Sequence, residues 1–269
     1  MRNNLFDKPK DVFLDLVDPK EYVQLERIAT IYQSLSESVK KPLKMILLYG
    51  KPGTGKSMLL SKLYKDLSSA QKVVLYQSPI LDDSEFFRSL AKDVYQFTPD
   101  NDINFTTFMT LTDKFIHSTV PIVLLDEAQL YSDSQMEKIR LLSDSRKMKF
   151  VVSLHKTEKE DIIAKEHFQT RIWESIELMN ASPEELKIYI QKKLMKVNCF
   201  DIANMFNDKN IKTIFALTEG NYRDTNKLLY TLFQILSWYE ENQPTKINYA
   251  TISNKSIEMA ALHTGLIHA

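Results

Sequence analysis

The run from Gly50 to Ser57 constrains the fold of this chain more than any other segment. Its residues match the pattern G-x-x-x-x-G-K-[ST] and include three of the five glycines in the 269-residue chain. In this pattern the glycines let backbone N–H groups approach phosphate oxygens at the N-terminus of a helix. An apolar run at 44–49 precedes the glycines, and leucines at helical spacing follow them over 58–67. The sequence therefore predicts a strand, a phosphate-binding loop and a helix.

The chemistry of this loop predicts a site for a nucleoside triphosphate, which we take to be ATP. We expect Lys56 to contact the β- and γ-phosphates as a point charge, and the Ser57 hydroxyl to coordinate Mg²⁺. The predicted nucleotide-binding residues are Gly50, Lys51, Pro52, Gly53, Thr54, Gly55, Lys56, Ser57 and Met58.

A second apolar run, 122–125, is followed directly by Asp126 and Glu127. Ligands of open α/β sheets bind at the carboxyl ends of the strands, where these two acids would lie. We expect Asp126 to hold Mg²⁺, directly or through water, and Glu127 to orient and polarise the attacking water as a general base. Taken alone, the two acids could instead cap the next helix at Ser132 or face solvent.

Strands alternate with helices over the first two thirds of the chain, and helical patterns alone follow. This order predicts an α/β fold, in which helices flank a five-stranded parallel sheet and a small C-terminal all-helical domain follows. The predicted strands are 44–49, 73–77, 122–125, 149–154 and 172–178; helices are predicted after Asp82 and at 58–67, 105–117, 134–142, 158–167, 183–197, 209–218, 222–239 and 251–262. The predicted domains are a lead-in segment with a helix (1–43), the sheet domain (44–180) and a helical lid domain (181–269).

Charge and apolar patterning narrow the classes of partner. The 35 basic and 35 acidic residues balance, so the whole chain exerts no general attraction on nucleic acid or anionic membrane. DNA binding would need a local stripe of lysines, for which two sets are candidates: Lys40, Lys41 and Lys44, or Lys192, Lys193 and Lys196. The apolar runs are far shorter than the ~20 residues that span a bilayer, which predicts a cytoplasmic protein without a transmembrane segment. The single cysteine and the scattered histidines predict neither a disulfide nor structural zinc.

The glycine loop, the run Asp126-Glu127-Ala128-Gln129 and the appended helical region together resemble the AAA+ ATPases, specifically the ExeA/GspA type associated with secretion. The aromatic lead-in from Leu5 to Tyr22 and the Ser-Pro-Glu-Glu-Leu run at 182–186 are also similar to that group. The resemblance implies Mg²⁺-dependent ATP hydrolysis within a nucleotide-dependent homo-oligomer.

The same resemblance implies roles for three more side chains. Arg171 matches the arginine finger, which reaches the γ-phosphate of a neighbouring subunit, and Arg223 matches sensor 2 at the start of a lid helix. Either one could instead be an ordinary surface arginine. Sensor 1 falls on Ser153 or His155, and we favour His155 because it lies nearer the carboxyl end of its strand. A histidine that merely hydrogen-bonds in a loop is an equally good interpretation.

Adenine contacts and cellular role are the least constrained expectations. In similar proteins the lead-in packs on the base, which makes Phe13, Leu16 and Tyr22 candidates, although apolar residues there more often belong to a core. The chain resembles free ATPases that accompany type II secretion, type IV pilus or DNA-uptake machinery, including the CtsP group. Such an ATPase would engage a protein partner and reach the inner membrane only through it. The alternative is a DNA-binding ATP switch, similar to the transposition regulators MuB and TnsC or to initiators.

Overall fold

The computed structural model of the protein forms two compact units. Unit 1 combines Met1–Glu26 with Met179–Ala269, and unit 2 is Arg27–Leu178. The predicted segment 1–43 is therefore divided between the units. The structure describes residues 4–99, 102–115, 119–155 and 172–268, so the helix predicted at 158–167 lies outside the described residues.

The regular elements alternate between strand and helix in unit 2 and are helical in unit 1. In chain order they are α1 (Asp7–Val12), α2 (Glu26–Ser38), β1 (Met45–Gly50), α3 (Lys56–Leu67), β2 (Val73–Tyr76), α4 (Asp83–Tyr95), α5 (Phe105–Thr112), β3 (Ile122–Leu125), α6 (Asp133–Asp144), β4 (Lys149–His155), β5 (Ile172–Leu178), α7 (Pro183–Lys196), α8 (Phe200–Asn204), α9 (Asp208–Thr218), α10 (Tyr222–Asn242) and α11 (Asn254–Thr264), with short 3-10 turns at Pro19–Glu21, Ala128–Leu130 and Pro244–Lys246. Among the described helices, none is both long and apolar enough to cross a membrane.

The five strands form one parallel sheet in the order β2-β3-β4-β1-β5. The structure thus confirms the predicted five-stranded parallel sheet with a helical C-terminal region. Every residue of β3 is fully buried, as expected for a parallel strand that is covered on both faces. Alternate residues of β1 take part in one large core with α4, α5 and α6. On the other face, Ser34 and Ser38 of α2 donate hydrogen bonds to Glu174 of β5.

Helix α5 is shorter than its sequence pattern suggested. The pattern predicts a helix over 105–117, but α5 ends at Thr112, whose hydroxyl donates to the carbonyl of Met109. Beyond it, Phe115 stacks on Tyr95 of α4 with ring centroids 4.9 Å apart. Packing against α4 therefore replaces the last predicted turn.

Unit 1 is organised around aromatic contacts between the first residues of the chain and α10. Phe6 and Phe13 are buried and stack on Phe233, with ring centroids 6.4 and 5.7 Å away. The amide of Asn4 donates to the carbonyl of Ser237 at 3.0 Å. The residues before α2 are therefore an integral part of the helical unit.

The lysines of α7 hold the same N-terminal segment. Lys192 Nζ donates to the carbonyl of Gln24 at 2.7 Å, and Lys196 bonds the carbonyl of Lys20 and lies 3.3 Å from Glu21. Lys193 is only 4% exposed. Lys193 is therefore not available to an open basic stripe, whereas Lys192 and Lys196 are exposed, and a role of these two lysines in DNA binding stays a prediction.

Candidate active site

The glycine loop begins where β1 ends, and its first glycine is required by close packing. A Cβ on Gly50 would lie 2.2 Å from the carbonyl oxygen of Leu178, the residue that pairs with it at the end of β5. Gly53 and Gly55 have φ values of 80° and 95°, in the left-handed region that side chains disfavour. A Cβ on Gly55 would meet nothing within 4 Å, so open space adjoins the loop at this point.

Lys56 is the first residue of α3 and is only 5% exposed. Its ammonium donates to the carbonyls of Gly50 and Lys51 at 2.9 and 3.0 Å, while the Thr54 hydroxyl donates to Lys51 at 2.9 Å. The first turn of α3 carries no acidic residue, and its N-cap, Gly55, offers no capping side chain. A buried cation and the positive end of a helix dipole therefore meet at this loop, an arrangement that suits a phosphate group.

The register of the sheet brings His155 beside the loop. Strand β4 lies between β1 and β3, and His155 pairs directly with Gly50. On the other side of β4, Val152 pairs with Leu125, the residue before Asp126. The glycine loop and the acidic pair are therefore separated by one strand, at the carboxyl edge where ligands of such sheets bind.

Asp126 extends β3 by one residue and is 3% exposed. Its backbone N–H donates to the carbonyl of Tyr76 at 3.0 Å, and its carboxylate accepts the N–H of Glu127 at 3.0 Å. These bonds fix the side chain at the strand end. Among the described residues, no cluster of three or more His, Cys, Asp or Glu side chains could hold a metal. Asp126 and Ser57 stay the predicted ligands of Mg²⁺, an ion that commonly takes one or two protein oxygens together with substrate phosphates and water.

Glu127 adopts a left-handed backbone conformation, with φ 50° and ψ 39°. A residue other than glycine is held there at a cost of roughly 1–3 kcal/mol, and such strain concentrates at functional sites. The following turn, Ala128–Leu130, returns the Gln129 amide to the Glu127 carboxylate at 2.5 Å. His155 Nε2 lies 3.1 Å from the same carboxylate oxygen.

The two sensor 1 candidates occupy different environments. Ser153 is fully buried, and its hydroxyl contacts no partner within the described part of the chain. His155 is partly exposed and faces Glu127. The preference for His155 as the residue nearer the phosphates stays a prediction, but the structure places this histidine against the predicted general base.

Part of the chain matches a known protein family. The family model described as "AAA domain" matches residues 40–162, a span that contains the glycine loop, Asp126, Glu127 and His155. Over residues 40–162 the protein is thus similar to AAA domains. The fold of the chain is shared with the structure of Drosophila ORC bound to DNA, which is 11% identical with a TM-score of 0.67, over 100% of this chain and 67% of that one.

Two curated proteins are also similar to this chain in sequence. The general secretion pathway protein A of Aeromonas hydrophila is 22% identical over 215 residues, which cover 76% of this chain and 39% of that protein. The chromosomal replication initiator protein DnaA of Helicobacter hepaticus is 25% identical over 263 residues, which cover 95% of this chain and 53% of that protein. The chain thus spans about two fifths and about half of these two relatives.

The remaining predicted residues lie in other surroundings. Arg171 lies outside the described residues. Arg223 belongs to unit 1, where its guanidinium pairs with Asp15 at 3.1 Å and both side chains are about half exposed. Of the candidates for adenine, Phe13 is a core residue of unit 1 and Leu16 is 59% exposed. The roles of these residues stay predictions.

Gln129 is the site residue that sequence reasoning missed. The Asp-Glu-Ala-Gln run contains this residue, but the run alone assigns it no role. Its position two residues after Glu127 was the available signal, but its contact with Glu127 depends on the left-handed conformation of that residue.

Proposed function

We propose that this protein hydrolyses ATP at the carboxyl edge of the sheet in unit 2. The observation that carries the proposal is the buried ammonium of Lys56 at the start of α3, one strand away from Asp126 and Glu127. The buried lysine alone, or the acidic pair alone, could have a purely structural role. Together they provide a phosphate-binding loop and a base at the place where parallel sheets bind ligands.

In the proposed reaction each residue has a distinct task. The loop from Gly50 to Met58 and the Lys56 ammonium bind the phosphates. Bound Mg²⁺, held by Ser57 and Asp126, would neutralise charge on the phosphates. Glu127 accepts a proton from the attacking water while its oxygen bonds to the γ-phosphorus and the bond to the β-phosphate oxygen breaks, which yields ADP and phosphate.

Glu127→Gln tests the proposal. The variant should bind a fluorescent ATP analogue with unchanged affinity and lose at least about 100-fold in kcat, since general base catalysis contributes roughly 10²–10⁴-fold. Glu37→Gln is a matched control, because Glu37 is an exposed glutamate of α2 that accepts a hydrogen bond from Gln33 at 3.0 Å. Equal turnover in the two variants would refute a role for Glu127 in hydrolysis.

We propose that Arg171 completes the site of a neighbouring subunit in a nucleotide-dependent homo-oligomer; the resemblance to AAA+ ATPases supports this role. Arg171→Ala leaves the nucleotide site intact but provides no finger, whereas Lys56→Ala provides a finger but has a defective site. Mixing the two inactive proteins should restore part of the activity at interfaces where the Lys56→Ala subunit donates its arginine. Absence of recovery in mixtures that co-assemble would contradict action between subunits.

We propose sensor 2 as the role of Arg223 on the strength of its sequence match. Arg223→Ala should then lower kcat by about tenfold or more, the loss typical when one charged contact to the transition state is removed. Asp15→Ala removes only the ion-pair partner and serves as the control. Equal activity of Arg223→Ala and wild type would assign the arginine to the surface.

For the cellular role we propose an ATPase that energises or regulates the assembly of an envelope machine, such as type II secretion, a type IV pilus or DNA uptake. The similarity to general secretion pathway protein A over 76% of this chain supports it. The protein partner would belong to that complex and would bring the ATPase to the inner membrane.

The second candidate is a DNA-binding ATP switch. Its support is the similarity to the initiator protein DnaA over 95% of the chain. Because Lys193 of α7 is buried, binding would fall to exposed lysines such as Lys40, Lys41, Lys192 and Lys196. Duplex DNA binding should be measured with and without ATP across a salt series; ATP-dependent binding that weakens with salt favours this candidate, and its absence favours the envelope machine.

A further inference from the structure

Three side chains at the end of the central strands form a closed ring of polar contacts. One oxygen of Glu127, Oε2, lies 2.5 Å from Gln129 Nε2 and 3.1 Å from His155 Nε2. The ring closes through Gln129 Nε2 and His155 Nδ1, which are 3.5 Å apart. Each member therefore touches both of the others.

The chemistry of the three groups favours one arrangement of their protons. A carboxylate only accepts hydrogen bonds and an amide nitrogen only donates them, so Gln129 Nε2 donates to Glu127. The same amide group faces His155 Nδ1, which must then accept. These contacts favour the neutral imidazole tautomer whose proton is on Nε2, the ring nitrogen nearer to the Glu127 carboxylate.

The orientation of the Gln129 amide shows that its contact with Glu127 dominates. Gln129 Oε1 is buried and contacts no donor within the described part of the chain. Rotating the amide by 180° would bring this oxygen against the carboxylate, where two acceptors repel each other. The glutamine thus tolerates an unsatisfied acceptor in order to donate to Glu127.

The backbone supports this ring on both sides. Ala128, between Glu127 and Gln129, is fully buried, and Tyr131 packs edge-on against Phe86 with ring centroids 5.6 Å apart. The N–H of Leu130 donates to the carbonyl of Glu127 at 3.0 Å. The turn that carries Gln129 is therefore anchored at both ends, and it can hold the carboxylate in one orientation.

We propose that Gln129 is a positioning residue, which orients the Glu127 carboxylate and selects the Nε2–H tautomer of His155. His155 then acts through Glu127 rather than as a direct ligand of the phosphates. Gln129 Nε2 and His155 Nε2 both face Oε2 of Glu127, and Oε1 of Glu127 accepts no hydrogen bond from the described residues. Oε1 is therefore the oxygen that receives the proton of water. This inference rests on the proposed role of Glu127 as general base.

The tautomer is the first test, since it requires neither nucleotide nor turnover. In ¹⁵N-labelled protein, long-range ¹H–¹⁵N spectra assign the protonated nitrogen of His155, and the His155→Gln variant identifies its signals among the five histidines. We expect Nε2–H in wild type and a mixture of both tautomers in Gln129→Ala. An Nδ1–H imidazole in wild type, or an unchanged tautomer in Gln129→Ala, would overturn the proposal even if Glu127 proves to be the base.

Kinetics provide the second test. Gln129→Ala and the shorter amide of Gln129→Asn should lower kcat by about 10- to 100-fold, because a misplacement of about 1 Å can cost 10²-fold, while the KM for ATP changes less than about twofold. Gln33→Ala is the matched control, since Gln33 is an exposed glutamine that also donates to a glutamate. Unchanged kcat in both Gln129 variants, in protein whose Glu127→Gln form is inactive, would refute the positioning role alone.

Gln129→Glu distinguishes positioning from a merely structural role. The new carboxyl group repels Glu127 when it is ionised and can donate to Glu127 only when it is protonated. We therefore expect kcat of this variant, relative to wild type at the same pH, to increase by several-fold as the pH falls from about 7.5 to about 5.5. A ratio that stays constant over this range would contradict the proposal.

Discussion

Lys193 offers a direct test of how burial affects stability in unit 1. Its side chain is 4% exposed, and its ammonium lies 5.4 Å from the ring centre of Phe13 and 5.5 Å from that of Tyr189. The pKa of Lys193 is lowered from its ordinary value of 10.5 to about 8, mainly by burial and to a smaller extent by nearby Lys196. Glu21 and Asp15 oppose this change but do not offset it.

The sign of the pH dependence follows from the lowered pKa. Between about pH 8 and pH 10.5 the unfolded chain binds the proton and the folded chain does not, so the stability of the folded state rises with pH in this window. Below about pH 8 Lys193 is protonated in both the folded and the unfolded state, so the folded state bears the full cost of burying the charge. The difference between 10.5 and about 8 corresponds to about 3 kcal/mol, at about 1.4 kcal/mol per tenfold change in the equilibrium constant.

Lys193→Met removes the charge while it keeps a long, flexible apolar side chain. The loss of the cation–π contacts should cost about 1 kcal/mol, so the variant should be more stable than wild type by about 2 kcal/mol at pH 7. This advantage should shrink steadily between pH 8 and pH 10.5.

Urea unfolding at several pH values would measure the effect. The chain has two tryptophans, and Trp173→Phe leaves Trp238 of α10 as the reporter of unit 1. Lys209→Met is the control, because Lys209 of α9 is exposed and its removal should change the free energy of unfolding by less than about 0.5 kcal/mol at every pH. A Lys193→Met variant that is less stable than wild type, or whose difference does not depend on pH, would refute the reasoning.

Three further substitutions test packing and metal binding. Gly220→Ala should destabilise unit 1 by about 2–4 kcal/mol in urea unfolding, because Gly220 has φ +75° and a Cβ would lie 2.0 Å from the carbonyl oxygen of Ala181. Phe13→Ala should cost about 3–5 kcal/mol by the same measurement through the lost packing on Phe233, whereas a cost under about 1 kcal/mol would contradict the described core. Asp126→Asn should raise the Mg²⁺ concentration for half-maximal ATP turnover at least about tenfold, and an unchanged Mg²⁺ titration would exclude this carboxylate as a ligand.

The sheet of unit 2 was predictable because its strands are short, continuous apolar runs with clear boundaries. Ile122–Leu125 is wholly apolar and is followed by two acids, and β1 ends at a glycine that the packing requires. Local patterns of this kind decide secondary structure wherever both faces of a parallel strand are buried. The positions of Lys56 and Asp126 follow from those boundaries.

The contacts of Gln129 and of the N-terminal segment could not be predicted in the same way. The first depends on the left-handed backbone of Glu127, a conformation that glutamate rarely adopts and that local propensity does not predict. The second joins residues more than 230 positions apart, as in the bond from Asn4 to Ser237. Such pairings arise from tertiary packing, which a single sequence does not record.

The division of unit 1 between the two ends of the chain has a consequence for folding during synthesis. Residues 27–178 are complete as soon as β5 has left the ribosome, so unit 2 can fold while the chain is still growing. The apolar side chains of the first segment, such as Phe6 and Phe13, must then wait until α10 has been made. We therefore expect truncated chains that end near residue 200, once released from the ribosome, to hold a protease-resistant sheet and a protease-sensitive N-terminus.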